Sequence, residues 1–351
     1  GRHVKVNLEE RYHGAPETAI EIIDTKAERR KRGMVGSFSR KLIERIRKEL
    51  SGGGQVMILR SRRSWAPALQ CEECGYIPKC PRCNVSLSLH KSGSHSRMMC
   101  HYCGQGIAFT GTCTKCNGNL KSIGAGTQKI EEEAQALFPE ARIARLDGDS
   151  AQNRKFETET IKEFGKGSIN ILIGTQMLTK GFDFGNLSLV AVIAAADTLL
   201  AVQDFRADEK AVQILEQFRG RCGRRGRQGA LVIQTSQPEH PVYKRLTHNE
   251  NNQAMIADFL IERKDFGFPP YTRIVEIALR DTDEDRVQKA ASTLASEIQL
   301  GFDMTGPYSP AVDRIAGQYI RNIRISMKKD RNLPGLKRQL CDIIRKYEKK
   351  H

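Results

Sequence analysis

No stretch of the sequence reaches the roughly 18 apolar residues that a membrane-spanning helix needs, and the opening GRHVKVNLEE has no apolar core of the kind a secretory signal carries. The expectation is a soluble, cytosolic protein without a membrane segment. No G-x-x-x-x-G-K-S/T loop occurs, which excludes a phosphate cradle of that type within this chain. Low-complexity sequence is confined to Gly52, Gly53 and Gly54, and the one internal repeat is C-x-x-C. Acidic side chains are scarce beside basic ones, 41 against 57, leaving a net charge of +16. That balance favours a polyanionic partner, nucleic acid or an anionic surface.

What is present is enough to fold. A chain of 351 residues, 39% hydrophobic and 28% charged, can build two to three packed domains and is not globally disordered. Residues 1–16 show no sustained periodicity and read as a linker or the end of a preceding region. Leu42, Ile43, Ile46 and Leu50 recur at helical spacing across 38–50, and the three glycines end that helix. A strand is expected at 55–60. Beyond the cysteines, helices at 128–138, 153–164 and 208–219 alternate with strands at 142–146, 169–173, 189–194 and 230–235. Short apolar strands alternating with helices predict a parallel α/β sheet covered on both faces. Residues 241–351 then read as a small α+β domain, with helices at 251–264, 284–300 and 333–347 and strands at 274–279 and 320–327.

Eight of the ten cysteines form four C-x-x-C pairs: Cys71 and Cys74, Cys80 and Cys83, Cys100 and Cys103, Cys113 and Cys116. Eight thiolates fill two tetrahedral zinc sites of four sulfurs each, closed and therefore structural. The two-residue spacer lets both sulfurs of a pair face one ion, and Gly75 and Gly104 permit the turn. Spacing leaves three pairings of the knuckles open. Iron in a rubredoxin-like site is the other metal with such a spacing. His90, His95 and His101 exceed the ligand count, and Cys222 and Cys341 read as packing residues. The block at 71–116 interrupts the α/β domain, taken as 17–70 and 117–240.

Two further motifs bear on chemistry. QFRGRCGRRGRQG carries five arginines and no acid between Arg219 and Arg227, a set of guanidinium groups suited to phosphate oxygens. ILIGTQMLTKGFDFG sets Thr175, Gly181 and Asp183 in a loop expected at the carboxyl edge of the sheet, where open α/β sheets bind ligands.

Together with RSRRSWAPALQCEECGYIPKCPRC, GAGTQKIEEEAQALFP, DFRADEKAVQILEQFRGRCGRRG and FGFPPYTR, these segments resemble the PriA family of primosomal replication-restart helicases over nearly the whole chain. The resemblance implies lobe two of a RecA-like superfamily 2 helicase, interrupted by a two-zinc ribbon and followed by a small α+β DNA-binding domain. It implies an ATP-dependent enzyme that unwinds DNA 3′ to 5′, recognises stalled forks and restarts replication, with ATP and Mg as cofactors of the whole enzyme. Gln217, Arg221 and Arg224 would act at the nucleotide, Arg224 on the γ-phosphate, with Asp183 and Gly181 near the ribose and Thr127 and Thr175 on the DNA backbone. The family's pairing is nested: Cys71, Cys74, Cys113 and Cys116 on one ion, Cys80, Cys83, Cys100 and Cys103 on the other. Implied partners are branched and single-stranded DNA, other primosome proteins, single-stranded DNA-binding protein and the replicative helicase loader. The implied form is a nucleoid-associated bacterial monomer. The phosphate loop and Asp-Glu-x-His box of lobe one are missing, so the chain is expected to be a C-terminal part without ATPase activity of its own. Ser61 and Ser64 replace the family's usual Asn and Gly, and Phe218 and Arg219 its Val and Ala.

Between Arg314 and His351 the net charge is +9. Arg321 and Arg324 on one strand, with Tyr319 as a stacking ring, suit single-stranded or branched DNA. Arg29 to Arg32 with Arg40 and Lys41 form a second basic cluster. A zinc-dependent chaperone module of the DnaJ kind would also carry four C-x-x-C pairs, but only CTKCNGN approaches its glycine pattern. A non-enzymatic zinc-containing DNA-binding module is the other reading of this chain.

Overall fold

The computed structural model describes residues 16–60, 68–92, 95–123, 127–146, 154–175, 178, 184–193, 197, 200, 204–223, 228–247 and 252–350. The chain divides into two compact units, residues 1–66 with 124–252 and residues 67–123 with 253–351. The cysteine block and the C-terminal segment thus belong to one body.

In the first unit, β1 (Ala19–Asp24) leads into α1 (Thr25–Arg30), and a small ribbon, β2 (Met34–Val35) with β3 (Phe38–Ser39), precedes α2 (Arg40–Ser51) and β4 (Gln55–Arg60). After the insert come α3 (Thr127–Leu137), β10 (Ile143–Leu146), α4 (Arg154–Gly165), β11 (Ile171–Gly174), β12 (Leu187–Ile193), α5 (Ala207–Arg219), β13 (Ala230–Thr235) and α6 (Pro241–Thr247). The six strands pair in the order β1-β13-β12-β4-β11-β10, and every pairing is parallel. All seven residues of β12 and all six of β13 are buried, as a sheet with helices on both faces requires. Helix α2 starts two residues later than its periodicity suggested. Phe38 and Ser39 are extended, and Ser39 Oγ accepts from Leu42 N at 3.1 Å as the N-cap. The helix buries Leu42, Ile43 and Ile46 in a core shared with Ile58, Ile130, Ile171, Ala191 and Val232.

The second unit holds two sheets. The insert contributes β5 (Ala68–Cys71), β6 (Ser88–Ser92), β7 (His95–Met99), β8 (Gly106–Ala108) and β9 (Leu120–Ile123), in the order β8-β7-β6-β5-β9. Its two ends pair antiparallel, Ala68 with Ile123 and Cys71 with Leu120. The C-terminal part runs through α7 (Asn252–Asp265), β14 (Thr272–Asp281), α8 (Glu284–Gln299), β15 (Asp303–Tyr308), β16 (Arg314–Ile315), β17 (Gln318–Lys328) and α9 (Leu333–Lys350). Strand β17 pairs antiparallel with both β14 and β15. Leu294, Ile298, Ile323, Ile325, Met327 and Leu340 form the core against helices α8 and α9.

Outside the insert and the two-residue strands β2, β3 and β16, four elements had no counterpart in the periodicity. β1 lies at the edge of its sheet and carries the charged Glu21 among its apolar residues. α1 and α6 are only 6 and 7 residues long, too short to show a repeating face. β15 contains Gly306 and Pro307, which demote a strand by pattern and are tolerated here because β15 is an edge. Among the described residues no helix is long and apolar enough to cross a membrane.

Candidate metal centres and nucleic-acid interface

The insert folds so that its cysteines meet in two groups, Cys71, Cys74, Cys113 and Cys116, and Cys80, Cys83, Cys100 and Cys103, with each group's sulfurs within 4.8 Å of one another. This is the nested arrangement. A tetrahedral ion with bonds of about 2.3 Å to sulfur sets its ligands about 3.8 Å apart. The Sγ atoms of Cys74 and Cys113 are 3.7 Å apart, those of Cys80 and Cys103 3.7 Å, and those of Cys71 and Cys116 3.4 Å. Soft thiolate donors in closed sets of four suit zinc, and these residues fit it.

The knuckles share a backbone design. The N–H of each first cysteine reaches the carbonyl five residues on: Cys71 to Tyr76, Cys80 to Val85, Cys100 to Gln105 and Cys113 to Gly118, at 2.7 to 2.9 Å. In three of them the residue after the second cysteine turns left-handed and donates back to the first cysteine's carbonyl. These are Gly75 (φ 70), Gly104 (φ 73) and Asn117 (φ 60), bonded to Cys71, Cys100 and Cys113. Backbone N–H groups also bear on the sulfurs, with Lys115 N donating to Cys113 Sγ at 3.3 Å. Without metal the thiols differ: the Gln105 N–H draws Cys103 down to about 7, and burial pushes Cys83 up to about 12. Metal binding therefore displaces protons from the set.

Of the two cysteines outside the clusters, Cys222 is buried as expected, and burial pushes its thiol up to about 12. Cys341 is exposed, contrary to expectation, because it falls on the solvent side of α9 while Leu340 and Tyr347 enter the core.

In the first unit the residues expected at DNA and those expected at the nucleotide lie at different places on the sheet. Thr175 follows the carboxyl end of β11 and is 2% exposed, its hydroxyl without a hydrogen-bond partner among the described residues. Thr127 is half-buried at the start of α3. Arg221 does not share that edge. Helix α5 returns the chain to the amino edge of the parallel sheet, where Gly223 N donates to Leu187 O at 3.1 Å. The arginine motif thus follows a helix end, as expected, and lies at the edge opposite Thr175, because each crossover helix carries the chain back to the amino end of the next strand. Gln217 is exposed and Arg221 half-buried. Arg224, Gly181, Asp183, Ser61 and Ser64 lie outside the described residues. Phe218 is 2% exposed and packs inward, and the buried Arg219 is held by Glu17 and Glu216.

The C-terminal sheet corrects a second expectation. Arg321 and Arg324 are three residues apart, so a strand's two-residue period sends them to opposite faces. Arg321 is 7% exposed and points with Ile323 and Ile325 toward α8, where Nη2 meets Glu284 at 2.7 Å and Nε meets Gln288 at 2.6 Å. It is not available to a nucleic acid. Arg324 is exposed on the other face, its guanidinium 5.9 Å from the Tyr308 ring. Tyr308 was not anticipated from sequence; its hydroxyl donates to Glu276 at 2.6 Å, which holds the ring on that face. Tyr319 is half-buried, with the Arg314 guanidinium 5.0 Å from its ring.

Comparison with known proteins bears on the whole chain. The family "Helicase conserved C-terminal domain" matches residues 98–226, "PriA DNA helicase Cys-rich region (CRR) domain" 80–106, and "Primosomal protein N C-terminal domain" 264–350. The replication restart protein PriA of Bacillus subtilis (strain 168) is 32% identical over 100% of this chain and 44% of its own length. PriA of Treponema pallidum (strain Nichols) is 36% identical over 90% of this chain and 47% of its own, and that of Haemophilus influenzae 35% over 85% and 40%. The chain spans about half the length of the curated relatives it matches. A solved structure of RecG bound to a three-way DNA junction aligns at a TM-score of 0.39 and 14% identity over 72% of this chain and 23% of that one, too loose a likeness to carry an argument. With a cysteine-rich match overlapping the start of a helicase match, a C-terminal match after both, and PriA relatives more than 30% identical over most of the same polypeptide, the chain belongs to the PriA family.

Proposed function

We propose that this chain is the C-terminal part of an ATP-dependent superfamily 2 DNA helicase that unwinds 3′ to 5′, recognises stalled forks and restarts replication by assembling a primosome. The observation that carries the reading is a pair of four-cysteine clusters inserted in the chain between β4 and α3 of a parallel α/β lobe, in a PriA-family chain. Lobe two, expected at 17–70 and 117–240, is proposed within 17–66 and 124–252, the zinc insert, expected at 71–116, at 67–123, and the DNA-binding domain, expected at 241–351, at 253–351, because β5 and β9 pair in the insert's sheet and α6 lies in the first unit.

The eight cysteines would hold two structural zinc ions, which order the insert and take no part in bond-breaking. ATP and Mg would bind where a second lobe closes on this one. There Gln217, Arg221 and Arg224 would meet the phosphates, with Gly181 and Asp183 near the ribose. A guanidinium facing the γ-phosphate stabilises the charge that develops as the phosphoryl group transfers. Thr127 and Thr175 are proposed to track the DNA backbone. On the C-terminal sheet Arg324 and Tyr308 would offer a cation and a ring to single-stranded or branched DNA, as stacking surfaces with a positive flank do. The remaining proposed partners are other primosome proteins, single-stranded DNA-binding protein and the replicative helicase loader, met by a bacterial, nucleoid-associated monomer.

The test is fluorescence anisotropy of the purified chain with a three-way fork and a linear duplex of equal length at several salt concentrations. Phosphate contacts alone give affinity that falls steeply with salt and ignores branching. Preference for the fork at every salt concentration supports branch recognition in this part of the enzyme. Equal, salt-labile binding favours the second reading, a zinc-containing DNA-binding module that takes no part in choosing the fork.

A further inference from the structure

The knuckle Cys80–Cys83 departs from the other three. Its following residue is Asn84, which does not take the left-handed turn that Gly75, Gly104 and Asn117 take. Instead Asn84 N donates to Arg314 O at 3.0 Å, and its side chain Nδ2 donates to Asp313 Oδ1 at 2.9 Å. Both acceptors lie in the hairpin of β16 and β17, more than two hundred residues away. That hairpin turns through Ala316 (φ 54) and Gly317 (φ 89), both left-handed. A two-residue turn of this kind matches the twist of its strands but favours Asn or Gly at its first position. Alanine holds it here with its N–H aimed at Cys83 Sγ, 3.2 Å away. Gly317 N donates to Arg82 O at 2.6 Å, Arg82 Nη2 donates to Ala316 O at 3.2 Å, and Ile315 packs against the apolar cluster that includes Leu69, Leu87 and Cys83.

We propose that this hairpin is a working part of the second metal centre, with Ala316 as the positioning residue that supplies Cys83 with its N–H···S bond. An N–H donor spreads a bound thiolate's negative charge and fixes the sulfur's direction, as outer partners of metal ligands do. The three other knuckles obtain their closing turn from their own backbone; this one obtains it from the C-terminal sheet. Occupancy of the second centre and the order of residues 313–319 are therefore linked, since whatever binds only the folded arrangement stabilises all of it. The same strand carries Arg324, so the state of the metal reaches the sheet on which DNA binding is proposed above. The first centre, whose ligands make no such contact among the described residues, is not linked in this way.

The experiment uses the full chain loaded with NMR-active cadmium in both centres. The expected result is a scalar correlation between the Ala316 amide proton and one cadmium resonance, that of the centre holding Cys83. Zinc release to a chromogenic chelator is then followed in Asn84→Ala and Asp313→Ala, surface changes that keep all eight thiols. Each should speed release from one centre about fivefold, the factor that one net hydrogen bond supports, and leave the other centre unchanged. Ala316→Gly, which keeps the N–H and relaxes the turn, should release no faster than the parent. Absence of the correlation, or release unchanged or accelerated equally at both centres, overturns the proposal. A purified chain holding fewer than two metal ions overturns the metal assignment instead, and the metal count shows that before any variant is made.

Discussion

Arg321 and Arg324 stand three residues apart on one strand and face opposite sides of the sheet, the first bound to Glu284 and Gln288, the second exposed beside Tyr308. The same residue type thus serves the packing of α8 in one case and a solvent-facing surface in the other.

Arg321→Ala leaves Glu284 and Gln288 without their guanidinium and is expected to lower the stability of the C-terminal domain by about 2 kcal/mol, the range of a charged hydrogen-bond partner. Arg324→Ala should leave thermal unfolding unchanged while weakening single-stranded DNA binding and reducing its salt slope by about one unit. Calorimetry and salt-dependent anisotropy on both variants check the pair; the reverse assignment would refute it.

Removing metal with a chelator is expected to unfold the insert and spare the first unit. The strands β6 and β7 pack on a small core of Leu69, Leu87 and Met98 around the cysteines, too little apolar area to hold alone. The six parallel strands share a separate core with α2 and α3. Hydrogen exchange should rise across 68–123 and stay protected at 187–193; uniform loss of protection would contradict this.

Burial pushes the Cys222 thiol up to about 12, above the ordinary range near 8.5. The folded state holds that proton where the unfolded chain releases it, so this group's stabilisation is complete below about pH 8.5 and falls as pH rises toward 12. In the metal-loaded protein at pH 8, iodoacetamide should modify the exposed Cys341 and leave Cys222 untouched, as mass spectrometry would register. An adduct on Cys222 in folded protein would count against the burial.

Without a phosphate loop in the sequence, purified chain is expected to show no ATP turnover above background, with or without fork DNA. Appreciable DNA-stimulated hydrolysis in a coupled assay would remove the proposal that this chain is half of an ATPase.

The helices and strands with a clear period were legible in the sequence: Leu42, Ile43 and Ile46 on one helical face, and the unbroken apolar run of β12. So were the eight cysteines that meet in two groups of four, because C-x-x-C is a local geometry that two residues of spacer dictate. Edge strands were not, because Glu21 in β1 and Gly306-Pro307 in β15 break the pattern where a neighbour on one side is enough. The role of Asn84 left one faint trace, the absence of the glycine or left-handed residue that follows the other knuckles.

The sequence by itself determined the local rules: which residues take helical or extended backbone, which sulfurs can share an ion, and a net charge of +16. Only the tertiary structure decided that Arg321 turns inward, that Arg221 sits by the amino edge of its sheet, and that Ala316 meets Cys83 across 233 residues of chain. Those relationships depend on strand parity, on crossover direction and on contacts between segments remote in sequence. The chain order does not record which remote backbone will fill a hydrogen bond that a local turn leaves open.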